Sequence, residues 1–443
     1  MKNILMPILT LLIASSPAIA ENFPSTSAVD AQRDSLISDH KVILIDGKPQ
    51  VSRDILQNDS IRELIDNFFY DQFTSFSDPA APYFLFMSRD SDLMMGIGGC
   101  VRIRAWYDVN AALPVNSFTP YFIPMTKDPA NNSKLGATPA GSTIFFRVIG
   151  RNKLLGNYQL YIEGNFNGYG GTDFHLKKAY AQINRVTIGY ASSTFSDPSA
   201  LPPTVDANGP SNKISGTSVL VRWMNTYRKR WTVAASVELP RSININTVEG
   251  KIGKASQSVP DFAAFLQYAW GRSEHIRLSG LLRTLPYQDL VTDKKHSKLG
   301  WGVQLSAVAH PLYPLTVYAT LNCGKGHAST TADLQAGDYD LISHNDNPRD
   351  MYAPFAYGWC LGLQYNFLPD LFASLSVSES RYLPDKPRPA DEYRRGNILS
   401  ANIFWNLTPR IQAGAEFDIG IRKNWSGESR RANRIGLMVQ FSF

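Results

Sequence analysis

The chain has 443 residues, of which 44% are hydrophobic, 12% aromatic and 19% charged, with a mean hydropathy of -0.19. Its formal charge of +6 is dispersed along the chain, too mild for a nucleic-acid protein. The three cysteines, Cys100, Cys323 and Cys360, are odd in number and far apart. They give no CxxC or zinc spacing, so small side chains on a wall are expected rather than a disulfide framework, and no cofactor or metal is implied.

The N-terminus reads as a cleavable export signal over residues 1–20. Lys2 is the positive start, Ile4 to Ile13 the apolar run, and Ala18-Ile19-Ala20 a small-x-small site before Glu21. No cysteine follows that site, which argues against a lipoprotein. Losing Lys2 with the signal leaves a charge of +5. Nothing later in the chain approaches the apolar run of about 18 residues that a membrane helix needs, so any membrane passage must be made by strands.

Residues 21–93 differ from the rest and are expected to form a periplasmic or lumen-plugging extension. Ser60-Ile61-Arg62-Glu63 has the form of a capping box, and Ile61, Leu64, Ile65 and Phe68 follow at helical spacing. One short helix is expected over 60–73, stopped at Asp78-Pro79, with a short strand over 42–45.

From about residue 94 the period becomes two. Val101, Ile103, Ala105 and Tyr107 alternate with Arg102, Arg104, Trp106 and Asp108. Similar runs lie at 144–148, 160–166, 176–184, 186–193, 217–226, 230–239, 261–270, 275–285, 299–309, 315–324, 355–367, 371–381, 396–407, 409–422 and 432–443. They total sixteen strands, an even number as bacterial barrels have. Short turns at 151–153, 184–185, 227–229, 271–272, 310–311, 369–370 and 408–409 alternate with long loops. The loops are expected at 110–140, 194–213, 241–259, 286–298, 325–353 and 382–395. Short turns at one end and long loops at the other mark a transmembrane barrel; a soluble sandwich has no reason to segregate them. The last strand places Ile435, Leu437, Val439, Phe441 and Phe443 on one face. A terminal aromatic of this kind belongs to the periplasmic girdle and serves as an address for the barrel-insertion machinery, with outer-membrane lipids around the wall. A domain of 94–443 is therefore an all-β, sixteen-stranded antiparallel transmembrane barrel in the Gram-negative outer membrane.

The opposite face carries the charges. Alternation points Arg102, Arg104, Arg147, Lys178, Arg222, Arg277, Arg283, Arg422 and Arg434 inward, against Asp108, Glu163, Glu238, Glu416 and Asp418. Nine against five leaves +4, a lumen that concentrates anions, and arginine grips carboxylates bidentately. Each of these side chains has the alternative of pairing across the wall and stiffening it. The loop 194–213 contains four prolines, with turn-formers at Asp197-Pro198 and at Asn208-Gly209-Pro210. Folded inward, it would narrow the pore; otherwise it is a surface loop.

Enzyme signals are weak. His175, His275 and His310 sit at strand or turn positions, and no Ser-His-carboxylate spacing is distinctive. Gly96-Ile97-Gly98-Gly99 opens a strand rather than a helix, so no phosphate cradle follows. Besides a pore for passive uptake, the residues allow a plugged structural or surface-binding barrel, closed by 21–93, and a barrel-embedded hydrolase.

Residues 94–443 resemble the DcaP-like trimeric porins. The resemblance rests on Tyr161-Ile162-Glu163-Gly164-Asn165-Phe166, Leu176-Lys177-Lys178-Ala179-Tyr180 and the run from Ser193-Thr194-Phe195 through Leu201-Pro202 to Asp206-Ala207-Asn208-Gly209-Pro210. Glu238-Leu239-Pro240, Val259-Pro260-Asp261-Phe262, Leu281-Leu282-Arg283, Gly300-Trp301-Gly302-Val303, Gly414-Ala415-Glu416 and Arg434-Ile435 extend it. It implies a sixteen-stranded homotrimer for passive diffusion of small hydrophilic solutes, leaning to organic anions such as dicarboxylates. It also implies that 194–210 is the constriction loop, carrying Asp197, Pro198, Asp206 and Asn208. Alternation makes Arg102, Arg104, Arg147, Lys178, Arg222 and Arg283 the expected pore-lining residues, and the resemblance supports Arg222 and Arg283 among them. The sequence departs from the family at Gly99-Cys100, where Gly-Tyr is usual, and 21–93 lacks sustained heptads.

Overall fold

The computed structural model describes residues 41–44, 84–87, 93–152, 156–167, 172–246, 251–271, 273–312, 314–344, 347–408 and 410–443. Within them the period-two runs form sixteen wall strands. In chain order these are β1 (Leu93–Val109), β2 (Thr143–Asn152), β3 (Gly156–Phe166), β4 (Phe174–Ile183), β5 (Val186–Ser192) and β6 (Thr217–Tyr227). Next come β7 (Trp231–Glu238), β8 (Asp261–Ala269), β9 (His275–Asp289), β10 (Lys294–Leu312) and β11 (Leu315–Lys325). The wall ends with β12 (Phe355–Leu368), β13 (Leu371–Leu383), β14 (Tyr393–Asn406), β15 (Ile411–Asn424) and β16 (Ser429–Ser442).

Each strand pairs antiparallel with its chain neighbours, and β16 pairs with β1 from Asn433↔Val109 to Ser442↔Cys100. Phe443 and Gly99 exchange backbone hydrogen bonds of 2.9 and 3.0 Å, sealing the last pair. Closure leaves the wall no free edge, which is what lets a sheet cross a bilayer. The faces are inverted relative to a soluble sheet. Val101, Ile103, Leu278, Leu361, Leu437 and Val439 are exposed on the outside, while Arg104, Glu163, Arg222, Ser306 and Arg434 are buried within.

Strand length is uneven. β2 to β5 have 10, 11, 10 and 7 residues, against 15 and 19 in β9 and β10. The upper half of β1 pairs with a strand inside the first long loop, Lys134–Thr138, instead of with β2.

Three sequence expectations meet the structure here. The loop expected at 286–298 is not a loop. β9 and β10 run on as a hairpin, pairing Pro286 with Ser297 and Asp289 with Lys294. The reason is apolar: Leu285 and Tyr287 are buried against Ile243, Ile252, Leu341 and Met351 from two other loops. The loop expected at 382–395 shrinks for a similar reason, since Tyr382 and Tyr393 belong to a buried cluster with Tyr339. The strand expected at 42–45 is found at Lys41–Leu44, parallel to Phe84–Met87, which pairs antiparallel with β1 at Met94 to Ile97. That pair continues the β16 edge of β1 beyond Phe443. The export signal and the helix expected over 60–73 lie outside the described residues.

Candidate functional site: a charged passage beside an inward loop

Segment 193–216, between β5 and β6, folds into the lumen. Its neck is closed by the Ser193 amide donating to the Gly216 carbonyl, 3.1 Å, and the Thr194 amide donates to Glu238 on β7, 2.8 Å. Asp197 is fully buried. It accepts from Ser306 Oγ (2.5 Å), Ser199 Oγ (2.6 Å) and His275 Nε2 (2.9 Å), with Arg277 Nη1 3.3 Å away. Burial alone would raise its carboxyl; Arg277 and His275 outweigh that and hold it below the usual carboxylate range.

A serine, a histidine and an aspartate meet here, yet Ser306 and His275 both address the carboxylate and not each other. The set therefore anchors the loop to β9 and β10 and is no proton relay.

Pro198 opens a single 3-10 turn, Pro198–Ala200. Pro202 then packs where a side chain at Gly362 would sit, only 2.7 Å from its Cβ, so glycine is required for this close approach. The Pro203 carbonyl accepts from Asn402 Nδ2 (2.8 Å) and Ser374 Oγ (3.1 Å). Glu416 takes the next two amides, Val205 at 2.8 Å and Asp206 at 2.7 Å. Asp206 receives the Phe118 amide at 3.0 Å and Arg434 Nη1 at 3.1 Å, and its carboxylate also holds the Asn208 amide at 2.8 Å. On the way back Asn212 reaches Thr320 at 2.9 Å, and Ile214 bridges to Thr331 in the loop 326–354. The loop thus crosses the barrel from β5 to β16 and is pinned at nearly every wall strand it passes.

The other half of the mouth is filled. Loop 326–354 and a small sheet of Ile245–Asn246, Leu341–Ser343 and Met351–Tyr352 pack over β9 to β15, with Leu334, Tyr339, Leu341, Ile342 and Met351 buried. Open space lies on the opposite side, between the inward loop and the wall from β16 through β1 to β6. It measures about 1180 Å³ and its lining includes Arg102, Arg104, Lys177, Lys213, Glu163 and Asp173. Among its side chains, four cations against two carboxylates leave +2.

The nine arginines and lysines expected to point inward do not share one role. Arg102 and Arg104 line this space. Arg102 Nε donates to Gln440 (2.8 Å) and Arg104 Nη2 to the Ala140 carbonyl (3.3 Å). Arg147, Lys178, Arg222 and Arg283 are buried and lie outside the lining. Arg147 donates to Gln159 at 3.0 Å and Arg222 to the Ser192 carbonyl at 3.1 Å. Arg283 is 3.6 Å from both Asp261 and Asp340. Arg277 serves Asp197, Arg422 donates to the Tyr121 carbonyl, and Arg434 makes a two-pronged bond to Asp108 at 2.7 and 3.1 Å.

Two lining cations were not counted from the sequence. A bulge at Glu163/Gly164 shifts the register so that Glu163 pairs with Lys178 while Gly164 pairs with Leu176. Lys177 falls in the gap and turns inward with its neighbour, placing its Nζ 2.6 Å from Glu163. Lys213 closes the proline-rich stretch, where its charge carried no parity signal. Its Nζ donates to the Ala207 carbonyl at 3.1 Å. Desolvation, with Lys177 and Arg104 near, lowers its ammonium from the ordinary value while Asp206 opposes them.

No family model and no curated relative matches the sequence. Solved structures do. The outer membrane channel DcaP of Acinetobacter baumannii is 20% identical, covers 81% of this chain and 99% of its own, and superposes with a TM-score of 0.68. An anion-selective porin from Comamonas acidovorans is 10% identical over 79% of this chain and all of its own, with a TM-score of 0.52. A loop L8 deletion mutant of OmpT, an outer membrane protein of Vibrio cholerae, is 10% identical over 80% of this chain, with a TM-score of 0.50. The chain therefore has the closed barrel fold of these outer-membrane proteins.

Proposed function

We propose that the protein is a DcaP-like porin of the Gram-negative outer membrane, a water-filled channel for passive diffusion of small hydrophilic solutes with a preference for carboxylate anions. The observation that carries this reading is the passage beside the inward loop, where Arg102, Arg104, Lys177 and Lys213 outnumber Glu163 and Asp173. A net positive, confined lumen raises the local concentration of anions, and its guanidinium and ammonium groups offer transient charge-assisted hydrogen bonds to a carboxylate. The buried arginines and carboxylates elsewhere hold the loop and the wall in shape.

A homotrimer fits the uneven wall. The short strands β2 to β5 expose Phe146, Leu160, Ile162, Phe174 and Ile188. A low apolar wall of this kind is suited to face sister copies rather than span the full bilayer alone.

The test is solute entry into proteoliposomes. A dicarboxylate should enter faster than a diamine of equal size, and Arg102→Gln with Arg104→Gln should shrink that ratio. Equal entry of both solutes, or a ratio indifferent to the two substitutions, would sink the anion preference.

A further inference from the structure

We propose that the barrel holds an anionic diacyl phospholipid of the periplasm-facing leaflet, the phosphate of phosphatidylglycerol being the chemistry recognised, at the β6–β7 turn. The inference rests on the outer-membrane reading above. The turn joins Tyr227 to Trp231, and the Arg230 amide donates to the Tyr227 carbonyl at 3.1 Å. Both central residues are left-handed, Arg228 at φ 48° and Lys229 at φ 58°. This is the conformation of a type I′ hairpin turn, where Asn-Gly is unstrained and long β-carbon-bearing residues are not. Two basic residues are kept where the backbone disfavours them. Neither pairs with a carboxylate among the described residues, and both are exposed. Strain retained without a structural partner marks a site whose charge has a use.

The surroundings say what that use is. Tyr227, Trp231 and Tyr268 lie side by side in one register row across β6, β7 and β8, all on the outer face. Tyr227 and Trp231 are exposed, and the Trp231 and Tyr268 rings approach to 4.7 Å, with Trp270 next at 6.2 Å. Arg230 Nη1 donates to the Tyr268 hydroxyl at 3.4 Å, fixing a third cation at the head of the row. Arg185 in the neighbouring turn is exposed as well, its carbonyl accepting the Met224 amide at 2.9 Å. The nearby carboxylate, Glu274, is turned to His310, accepting its amide at 3.2 Å. Below the aromatics the same outer face is apolar, with Val221, Leu266 and Leu278 exposed. Acyl chains along the wall, glycerol against the rings and phosphate between Arg228, Lys229 and Arg230 match that sequence of surfaces.

The full-length protein is inserted into vesicles of equal parts phosphatidylglycerol and phosphatidylethanolamine, and the lipids retained are read by native mass spectrometry. The wild type should keep phosphatidylglycerol. Arg228→Asn with Lys229→Gly removes two charges and relieves the turn, so the barrel should keep its heat-modifiable migration. Its enrichment should fall by roughly 30-fold for two basic residues lost at a membrane surface. Arg430→Gln with Arg431→Gln, an equal charge change at the opposite rim, should leave enrichment intact. Undiminished enrichment in the turn variant, equal loss in both, or a wild type without preference would each overturn the site while leaving the membrane reading standing. A wild-type chain that never inserts would overturn both.

Discussion

Arg434 shows how one side chain holds two parts of the lumen. It binds Asp108 of β1 with two bonds, reaches Asp206 of the inward loop at 3.1 Å, and lies over the rings of Trp106 and Phe118. Removing it leaves the buried Asp108 and the half-buried Asp206 without their cation, which costs on the order of 3–5 kcal/mol. Arg434→Gln should therefore lower the urea midpoint of the folded barrel in detergent markedly; an unchanged midpoint would mean the clamp is idle. Lys177 offers a test of the bulge. Lys177→Gln should reduce anion preference more than Lys178→Gln, because only Lys177 lines the passage. Equal effects would place both lysines alike. Two residues of loop 326–354 set a pH dependence. Burial pushes the Asp333 carboxyl up to about 6, against the Tyr393 and Tyr121 hydrogen bonds that pull it down. Burial and Arg283 push His327 down to about 4. The raised acid contributes stability that is complete below its unfolded value of about 3.9 and is lost as pH rises through its folded value. The lowered histidine contributes stability that is complete above about 6.5 and is lost as pH falls through its folded value. The two oppose each other across the same window. As pH rises from 4 to 6, His327→Gln, left with the acid alone, should lose stability relative to wild type, and Asp333→Asn, left with the histidine alone, should gain it; parallel profiles for all three would refute the assignment.

Among the elements, the inward loop depends on acceptors supplied by the wall. Glu416 holds two consecutive loop amides. Glu416→Ala should leave the barrel folded but release the middle of the loop, giving larger and noisier single-channel currents; steady wild-type currents would show that Asp197 and Asp206 suffice. The wall strands were legible in the sequence because a half-exposed strand must alternate, and a one-residue slip would turn every charge to lipid. Arg104, Glu163 and Glu416 were placed inward on that ground alone. The β9–β10 hairpin was not legible. Pro286 and the Lys294-Lys295-His296 run carry loop chemistry, and only the distant partners of Leu285 and Tyr287 reveal them as strand. Lys177 was hidden by its bulge, since the parity rule fails wherever one extra residue enters a strand. The inward course of 193–216 was an alternative in the sequence; the groups that decide it, Glu238, Glu416 and Arg434, come from β7, β15 and β16, far along the chain.

At the scale of the molecule, the barrel is asymmetric in height and in filling. Strands β9 to β15 carry the packed loops, and the side from β16 through β1 to β6, which includes the short β2 to β5, carries the open, net positive passage. Which half would be filled had no signature in the sequence, because it depends on which loops fold in together. That asymmetry is the basis of the anion-channel account. The most direct measurement is the reversal potential of the purified protein in a planar bilayer under a KCl gradient. The account predicts large open-channel steps whose potential lies towards chloride, moving to neutral in Arg102→Gln with Arg104→Gln. A potential lying towards potassium would contradict it, and a silent membrane would favour a barrel closed by its own loops or by residues 21–93.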